Sequence, residues 1–278
     1  MAMMQEAELQ DLSFRPVENH APARLSPAQI DQYNRLGFVQ PFDIFGQQEI
    51  RHIRTYANRL IADMGEDGAY GINCYQARLA GLWDIVTDAR ILDHVEDIIG
   101  PDILCWATAI LSKRPHDPRR VPWHQDASFW SLSPARTVTV WLAVDDADEE
   151  NAAMRFIPGS HDRGALKVRE AQGESVFHIE TECAGDMGQP FTNSLRAGQI
   201  SLHADMLVHG SLPNASSRRR CGLTMRYCPP SVRITDPDWA EGVEAILCRG
   251  SAADWKVHPR PDNNDITKTD TPRNHGTN

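Results

Sequence analysis

Hydrophobic positions along the chain change from helical to strand-like spacing near Pro101. Before that point, apolar residues recur at intervals of three and four, which predicts amphipathic helices. The first helix begins at Ser26-Pro27, a capping residue followed by proline, and ends at Gly37. Thr87 is predicted to cap the third helix, which ends at Gly100. The apolar faces of the second and third helices are Ile50, Ile53, Ala57, Leu60, Ile61, Met64 and then Ile91, Leu92, Val95, Ile98, Ile99.

After Pro101, short apolar runs are separated by turn residues, which predicts strands. The clearest run is Thr137–Val144, because Val138 and Val140 alternate with Thr139 and Trp141. Short strands at this spacing, with proline and glycine between them, favour a β-sandwich or a jelly-roll barrel. The predicted strands are Ile103–Leu111, Val121–Trp130, Thr137–Val144, Gln199–His203, Leu207–Gly210 and Cys221–Cys228.

These patterns predict a mainly β fold with flanking helices, organised as one catalytic domain over residues 26–257. Its helical part spans residues 26–100 and its jelly-roll core spans residues 101–235. Residues 1–25 are polar and contain two prolines, so we expect a flexible arm. Residues 258–278 have almost no apolar side chains and are expected to form a polar tail.

Composition narrows the class of partner. The chain has 278 residues and a net charge of −10, with 41% hydrophobic and 24% charged residues, which is typical of a globular protein. The acidic balance disfavours nucleic-acid binding. No apolar stretch approaches the ~20 residues of a membrane span, and no signal peptide is visible. Scattered cysteines without a CxxC pair favour reduced thiols in a cytoplasmic protein.

The run Trp123-His124-Gln125-Asp126 carries the candidate chemistry. Residues two apart on a strand face the same side, so His124 and Asp126 would point an imidazole and a carboxylate at one place. His209 lies on another short apolar strand. Two histidines and one carboxylate form the facial triad of non-haem Fe(II) oxygenases, which leaves coordination positions open.

A second feature supports this hypothesis. Arg220 lies at the start of the next predicted strand, eleven residues after His209. A cosubstrate with two carboxylates needs a cation for the carboxylate that does not chelate the metal, and arginine offers a planar bidentate fork. Positions 220, 222, 224 and 226 share one face of that strand.

These motifs resemble the phytanoyl-CoA dioxygenase family of Fe(II)- and 2-oxoglutarate-dependent oxygenases, whose fold is a double-stranded β-helix of the cupin-like jelly-roll type. The resemblance rests on Trp123–Asp126, Trp141–Ala143, Glu150–His161 and His209–Ser211, together with Arg220. It implies Fe(II), 2-oxoglutarate and O₂ as cofactor and cosubstrates. It also implies iron ligands at His124, Asp126 and His209, a 2-oxoglutarate clamp at Arg220, and pocket-lining residues at Trp141 and Ser211.

The sequence departs from the family pattern at two places. Asn151-Ala152 stands where the family usually has Asn-Gly, so we expect Asn151 itself to adopt the left-handed conformation. Gly222 stands two residues after Arg220, where many 2-oxoglutarate enzymes have serine. The pocket floor is therefore expected to lack one hydroxyl.

The resemblance implies hydroxylation of an aliphatic C–H, with release of succinate and CO₂. Related halogenases carry a small residue at the position of Asp126, so the carboxylate disfavours halogenation. Desaturation, epoxidation, cyclisation and epimerisation by the same iron chemistry remain open. A jelly-roll isomerase or hydrolase, which would not need Arg220, is a second hypothesis, and a non-catalytic binding protein that keeps the fold is a third.

The substrate is predicted to be a small molecule, and the position of several arginines suits an anionic or carboxylate-bearing one. Oligomeric state stays open. His203, on the strand before His209, could also face the barrel. The candidate substrate-binding residues are Tyr75, Gln76, Arg78, Phe129, Trp130 and Arg226.

Overall fold

The computed structural model describes residues 10–182 and 187–266. The ends of the predicted arm and tail, residues 1–9 and 267–278, lie outside the described residues. Among the described helices, none is both long and apolar enough to cross a membrane. The α-helices are α1 (Pro27–Leu36), α2 (Gln47–Met64), α3 (Ala80–Val86), α4 (Ala89–Ile99) and α5 (Pro237–Ala240).

The helix ends follow from local chemistry. Ser26 and Gln29 form a capping box at the start of α1, and Gly37 ends the helix with a φ of 84°, which only glycine adopts readily. Helix α4 is capped by Asp88 rather than by Thr87, so that prediction was wrong by one residue. The Thr87 hydroxyl instead donates to the Trp83 carbonyl at the end of α3.

The strands form two main antiparallel sheets. The described strands are β1 (Phe38–Asp43), β2 (Ile72–Asn73), β3 (Ile103–Lys113), β4 (Val121–His124), β5 (Leu132–Ser133), β6 (Val138–Ala143), β7 (Arg155–Phe156), β8 (Val168–Glu170), β9 (Ile179–Thr181), β10 (Phe191–Thr192), β11 (Gln199–Ala204), β12 (His209–Ser211), β13 (Arg220–Cys228), β14 (Arg233–Ile234) and β15 (Ile246–Arg249). The larger sheet has the order β1-β11-β6-β13-β3-β15, with β2 beside β3, and the smaller sheet has the order β10-β7-β12-β4. Two further pairs are β14-β5 and β8-β9.

The two faces of the larger sheet have different roles. Val138, Val140 and Leu142 of β6 belong to the main hydrophobic core, together with apolar residues of the four N-terminal helices. Thr139 and Trp141, which alternate with them, line an internal cavity instead. The predicted alternation along this strand is confirmed, and the fold is the expected jelly roll with helices on one face.

The predicted strand over Val121–Trp130 is too long. Strand β4 ends at His124, and residues 126–129 form a 3₁₀ turn. The backbone N–H of Ala127 donates to the Asp205 carbonyl rather than to a neighbouring strand. The Gln125 side chain also donates to the Met206 carbonyl, so the segment is held against the turn before β12.

Both ends of the described chain pack on the domain. The Asp97 carboxylate of α4 accepts hydrogen bonds from the backbone N–H groups of residues 23–25. The Gln10 side chain donates to the Trp130 carbonyl, and the Ala135 N–H donates to the Asp11 carbonyl. Residues 10–25, expected to be flexible, therefore contact the segment that follows β4.

Candidate active site

Three side chains with metal-binding atoms meet where β4 and β12 pair. His124 ends β4, His209 begins β12, and the two residues are direct cross-strand partners with ring centroids 4.1 Å apart. Asp126 lies in the 3₁₀ turn, and its Oδ1 is 3.6 Å from Nε2 of His124. One nitrogen or oxygen from each residue lies within 4.8 Å of the others. Within the described part of the chain, this is the one such buried cluster of histidine, cysteine or carboxylate groups.

Both imidazoles are oriented by backbone carbonyls. Nδ1 of His124 is 2.8 Å from the Pro122 carbonyl, and Nδ1 of His209 is 2.9 Å from the Leu207 carbonyl. Each Nδ1 must carry its proton to donate to these oxygens. Each Nε2 is then left with a lone pair, as a metal ligand requires.

Electrostatics keep the triad in a metal-binding state. Burial and, to a smaller extent, the neighbouring His209 together lower the pKa of His124 to about 3. Burial alone would raise the pKa of Asp126, but Arg226 and the nearby imidazoles lower it below its ordinary value. The site therefore holds a neutral His124 imidazole and an ionised Asp126 carboxylate at neutral pH, and with His209 these groups form a donor set that suits a divalent iron ion.

A second cluster of polar side chains lies at the Arg220 end of the cavity. Nη2 of Arg220 donates to the Ser211 hydroxyl at 3.3 Å, and Nζ of Lys113 donates to the same hydroxyl at 3.0 Å. Lys113 also donates to the carbonyls of Arg119 and Leu212. Burial lowers the pKa of Lys113 to about 7, with a contribution from Arg220. We call Arg220, Lys113 and Ser211 the clamp.

The glycine at position 222 has a packing cause. A Cβ atom at Gly222 would lie 2.2 Å from the Trp141 indole, which is far inside van der Waals contact. Trp141 is the direct neighbour of Thr224 across the β6–β13 pair, and its ring lies 5.9 Å from the Arg220 guanidinium carbon. The missing serine therefore makes room for an indole that lines the cavity.

The departure from the family pattern at Asn151-Ala152 affects the backbone conformation of the turn. Ala152, not Asn151, adopts the left-handed conformation, with a φ of 61°, so the expectation for Asn151 was wrong. The Asn151 side chain donates to the carbonyls of Asp146 and Arg219 and accepts from the Asp148 N–H. These bonds hold the turn around an alanine in a conformation that favours glycine.

Arg226 occupies the opposite end from the clamp. Its Nε is 3.8 Å from Oδ2 of Asp126, beyond hydrogen-bond distance. Its guanidinium lies over the rings of Trp130 and Trp106, at 4.9 and 5.8 Å. Nε and Nη1 are buried and have no hydrogen-bond partner among the described residues.

The cavity that joins these groups lies between the two main sheets. It is narrow, about 50 Å³, which holds only a few water molecules. Phe177, in the β8–β9 connection, packs edge-on against His124 at 5.0 Å. A 2-oxoglutarate molecule needs more room than this, and we expect it to displace the half-buried Phe177 side chain.

The structure brings some predicted residues to the cavity and leaves others away from it. Cavity-lining residues include His124, Asp126, His209, Arg220, Trp141, Ser211 and Arg226. Tyr75, Gln76, Arg78, Phe129 and Trp130 are not among its lining residues. Their roles in substrate binding stay predictions.

The local contacts explain why three of these residues are elsewhere. Arg78 pairs with the Glu244 carboxylate at 2.6 Å, and the buried Gln76 amide donates to the Trp106 and Glu244 carbonyls. Trp130 packs edge-on against Trp106 behind Arg226. Phe129 lies closer, with its ring 6.4 Å from that of His124.

Sequence reasoning missed Lys113 and left His203 open. Lys113 ends a strand that has no other charged residue, which was the one signal that its ammonium group could be buried. His203 lines the cavity, and its ring lies 4.9 Å from that of His209. The pairing that places it there connects strands far apart in sequence.

A family model described as phytanoyl-CoA dioxygenase (PhyH) matches residues 33–222. This range contains more than half of the chain, all three triad residues and the clamp. The chain belongs to the phytanoyl-CoA dioxygenase family. The match confirms the resemblance seen in the HxD and His-Gly-Ser motifs.

Individual relatives of this phytanoyl-CoA dioxygenase family member have varied names. It is 25% identical over 153 residues to an L-proline trans-4-hydroxylase of Streptomyces griseoviridis, covering 48% of this chain and 57% of the relative. It is 29% identical over 147 residues to a probable alpha-ketoglutarate-dependent hypophosphite dioxygenase of Stutzerimonas stutzeri, covering 51% of each. The chain thus spans about half the length of these curated relatives.

A solved structure covers more of the chain. The apo form of the non-heme monooxygenase ThoJ superposes with a TM-score of 0.74 at 26% sequence identity. The match covers 84% of this chain and 88% of ThoJ. The jelly-roll fold is therefore shared along most of the length of both proteins.

Proposed function

We propose that this protein is a non-haem Fe(II)- and 2-oxoglutarate-dependent dioxygenase that hydroxylates an aliphatic C–H of a small molecule. The observation that carries the proposal is the meeting of His124, Asp126 and His209, with ligand atoms within 4.8 Å of one another, in a cavity that ends at Arg220. The hydroxylase and dioxygenase names of two relatives support the same reaction class.

The residues fit the implied metal. Two imidazoles and one carboxylate on one side of a metal form the facial triad of non-haem iron enzymes. When bound, Fe(II) with 2-oxoglutarate and O₂ supplies the oxidising chemistry that inserts oxygen into a C–H bond and releases succinate and CO₂. His124, Asp126 and His209 would hold the metal, and the fixed Nδ1 protons keep both Nε2 atoms available.

The clamp gives the cosubstrate its direction. The Arg220 guanidinium and the Lys113 ammonium lie on the same hydroxyl, Ser211, in a buried site. Charge-assisted hydrogen bonds from Arg220 to the distal carboxylate, with the Lys113 charge behind Ser211, would place the keto-acid end towards the triad. Trp141 closes the floor beside Arg220 and excludes water from it.

The substrate is proposed to carry an anionic group that Arg226 binds. Arg78, the other predicted arginine, already pairs with Glu244, whereas Arg226 faces the cavity with Nε and Nη1 lacking a hydrogen-bond partner among the described residues. A buried guanidinium is costly unless it is paired. Once a metal takes the charge of Asp126, Arg226 needs another anion, and a small acidic substrate supplies one. The hypophosphite named for one relative is such an anion.

Two measurements test the reaction class. The first is 2-oxoglutarate binding to the Fe(II) protein without oxygen, seen as a weak metal-to-ligand visible absorption band. The second is succinate formation with O₂, which pools of small acids should stimulate more than pools of neutral molecules. Absence of the band would favour a jelly-roll metal enzyme of another class, and equal stimulation by neutral pools would contradict the anionic substrate.

A further inference from the structure

Three consecutive cross-strand neighbours at the centre of the larger sheet are polar. His203 of β11 is the direct partner of Thr139 of β6, and Thr139 is in turn the direct partner of Arg226 of β13. All three side chains line the cavity, and each is at most 5% exposed. We call these three residues the polar row.

The polar row has unused hydrogen-bonding groups. Both ring nitrogens of His203, the hydroxyl of Thr139, and Nε and Nη1 of Arg226 are buried without a partner among the residues described. A buried polar atom without a partner costs about 1–3 kcal/mol. Three such residues side by side are therefore expensive unless a ligand satisfies them.

The adjacent row shows that the sheet can satisfy its polar groups. It consists of Ser201, Trp141 and Thr224, which are also direct neighbours across β11, β6 and β13. The Thr224 hydroxyl donates to the Ala109 carbonyl, and the Ser201 hydroxyl accepts from the Asn193 amide. Of these two rows, it is the polar row whose side chains have buried atoms without partners among the described residues.

The polar row and the clamp lie towards opposite ends of the cavity. Arg226 and Arg220 are six residues apart on the same strand, which corresponds to about 20 Å along an extended chain. Arg226 is also 3.8 Å from the triad residue Asp126, whereas the clamp meets Ser211. A cosubstrate held by the clamp would leave the polar row available to another molecule.

We propose that Arg226, Thr139 and His203 together form the subsite that binds an oxyanion of the substrate, either a carboxylate or a phosphonate. This inference rests on the proposed function and adds two residues and a binding mode to it. Arg226 supplies the charge, while the hydroxyl of Thr139 and the one N–H of the neutral imidazole donate to further oxygen atoms. Because the subsite adjoins Asp126, the oxidised carbon lies close to the acidic group.

The test measures the thermal stability of the Fe(II)-loaded protein without oxygen, with and without saturating 2-oxoglutarate. The probes are propionate, methylphosphonate and the neutral propionamide. We expect the oxyanions, and not the amide, to raise the melting temperature further when 2-oxoglutarate occupies the clamp. The two acids distinguish a carboxylate subsite from a phosphonate subsite.

Four variants locate the effect. Arg226→Gln should weaken oxyanion binding by about 10- to 150-fold, and Thr139→Val and His203→Leu by about 2- to 10-fold each. Thr224→Val is the matched control, since it removes a hydroxyl from the same face and is expected to leave oxyanion binding unchanged. None of the four should change 2-oxoglutarate affinity more than about threefold.

Ligand-free stability provides an independent readout. Thr139→Val removes an unpartnered hydroxyl and should raise the melting temperature, whereas Thr224→Val breaks a hydrogen bond and should lower it. A purely structural role for the polar row would make both variants less stable.

The outcomes separate this inference from the proposed function. Oxyanion stabilisation that persists in Arg226→Gln and Thr139→Val, or that is absent from the wild-type protein in both arms, would overturn the subsite. Failure of 2-oxoglutarate to bind would contradict the proposed reaction. The arm without 2-oxoglutarate would then still show whether the polar row binds oxyanions.

Discussion

The two ends of the cavity differ in how far the protein itself satisfies their polar groups. At the clamp, Arg220 and Lys113 both donate to Ser211, Lys113 has two further carbonyl acceptors, and among the clamp's described side-chain atoms Nε of Arg220 alone is buried without a partner. At the polar row, His203, Thr139 and Arg226 have buried atoms without partners among the described residues. A site with its hydrogen bonds in place is preorganised for one ligand, whereas an unsatisfied site depends on its ligand for them.

The clamp and the polar row also differ in their relation to the family pattern. The clamp residues Arg220 and Ser211 belong to motifs that resemble the family pattern. The polar row combines a predicted residue, Arg226, with two side chains that only the strand register brings beside it. We infer that the constant cosubstrate is bound at one end and that substrate specificity resides at the other.

The largest expected effect comes from the triad that lies between the two ends. Asp126→Ala should reduce turnover by more than about 100-fold, because it removes one of three metal ligands. Iron content and succinate formation provide the measurement. Asp205→Asn is the control, since Asp205 is a nearby buried carboxyl that bonds the Thr137 N–H instead of facing the triad. Wild-type product formation by Asp126→Ala would remove Asp126 from the ligand set.

The next effect distinguishes the two arginines. Arg220→Ala should weaken 2-oxoglutarate binding by about 10- to 150-fold, the loss of ~1.5–3 kcal/mol from a charge-assisted pair. Arg226→Ala should leave cosubstrate affinity within about threefold and act on substrate instead. The dissociation constant is measured from the visible band of the Fe(II) protein. If the two variants exchanged these effects, the assignment of the two ends would have to be reversed.

A smaller effect concerns the floor beside the clamp. Gly222→Ser places a Cβ 2.2 Å from the Trp141 indole, so the ring must move. We expect a loss of about 1–3 kcal/mol of stability, measured by denaturant unfolding, together with weaker 2-oxoglutarate binding. Gly46→Ser is the matched control, because that glycine is the N-cap of α2, where serine is favoured. Unchanged stability of Gly222→Ser would contradict the packing explanation.

The smallest predicted effect is the pH dependence of the clamp. The pKa of Lys113 is lowered to about 7, so its ammonium charge is present below that pH and is lost above it. Affinity for the dianionic cosubstrate should therefore fall by up to about tenfold between roughly pH 6 and pH 8. In Lys113→Met, affinity should be lower at pH 6 and should no longer depend on this titration. A steep pH dependence that survives in the variant would assign it to another group.

The local pattern of apolar and polar residues was sufficient to predict much of the fold. The alternation in β6 correctly separated Val138 and Val140 from Thr139 and Trp141, because burial on two faces constrains every second residue. The HxD motif and His209 gave the triad candidates from sequence. The strand through Asp126 was predicted too long, since a long-range bond from Ala127 to Asp205 ends it.

Long-range contacts account for what the sequence could not show. Arg78 looked available until the fold placed Glu244, 166 residues away, against it. The burial of Lys113 depends on the carbonyl of Leu212 and on Ser211, which come from β12 and its end. The polar row depends on the register of three strands. Such pairings are set by tertiary packing rather than by local propensity.

The most direct test of the account is an oxygen-free titration of the Fe(II) protein with 2-oxoglutarate, followed by the visible absorption band. We predict that the band appears in the wild-type protein, saturates at one equivalent per chain, and is lost in Asp126→Ala. Iron that binds without any such band, or a band of full intensity in Asp126→Ala, would contradict the assignment of His124, Asp126 and His209 as the metal centre of a 2-oxoglutarate enzyme.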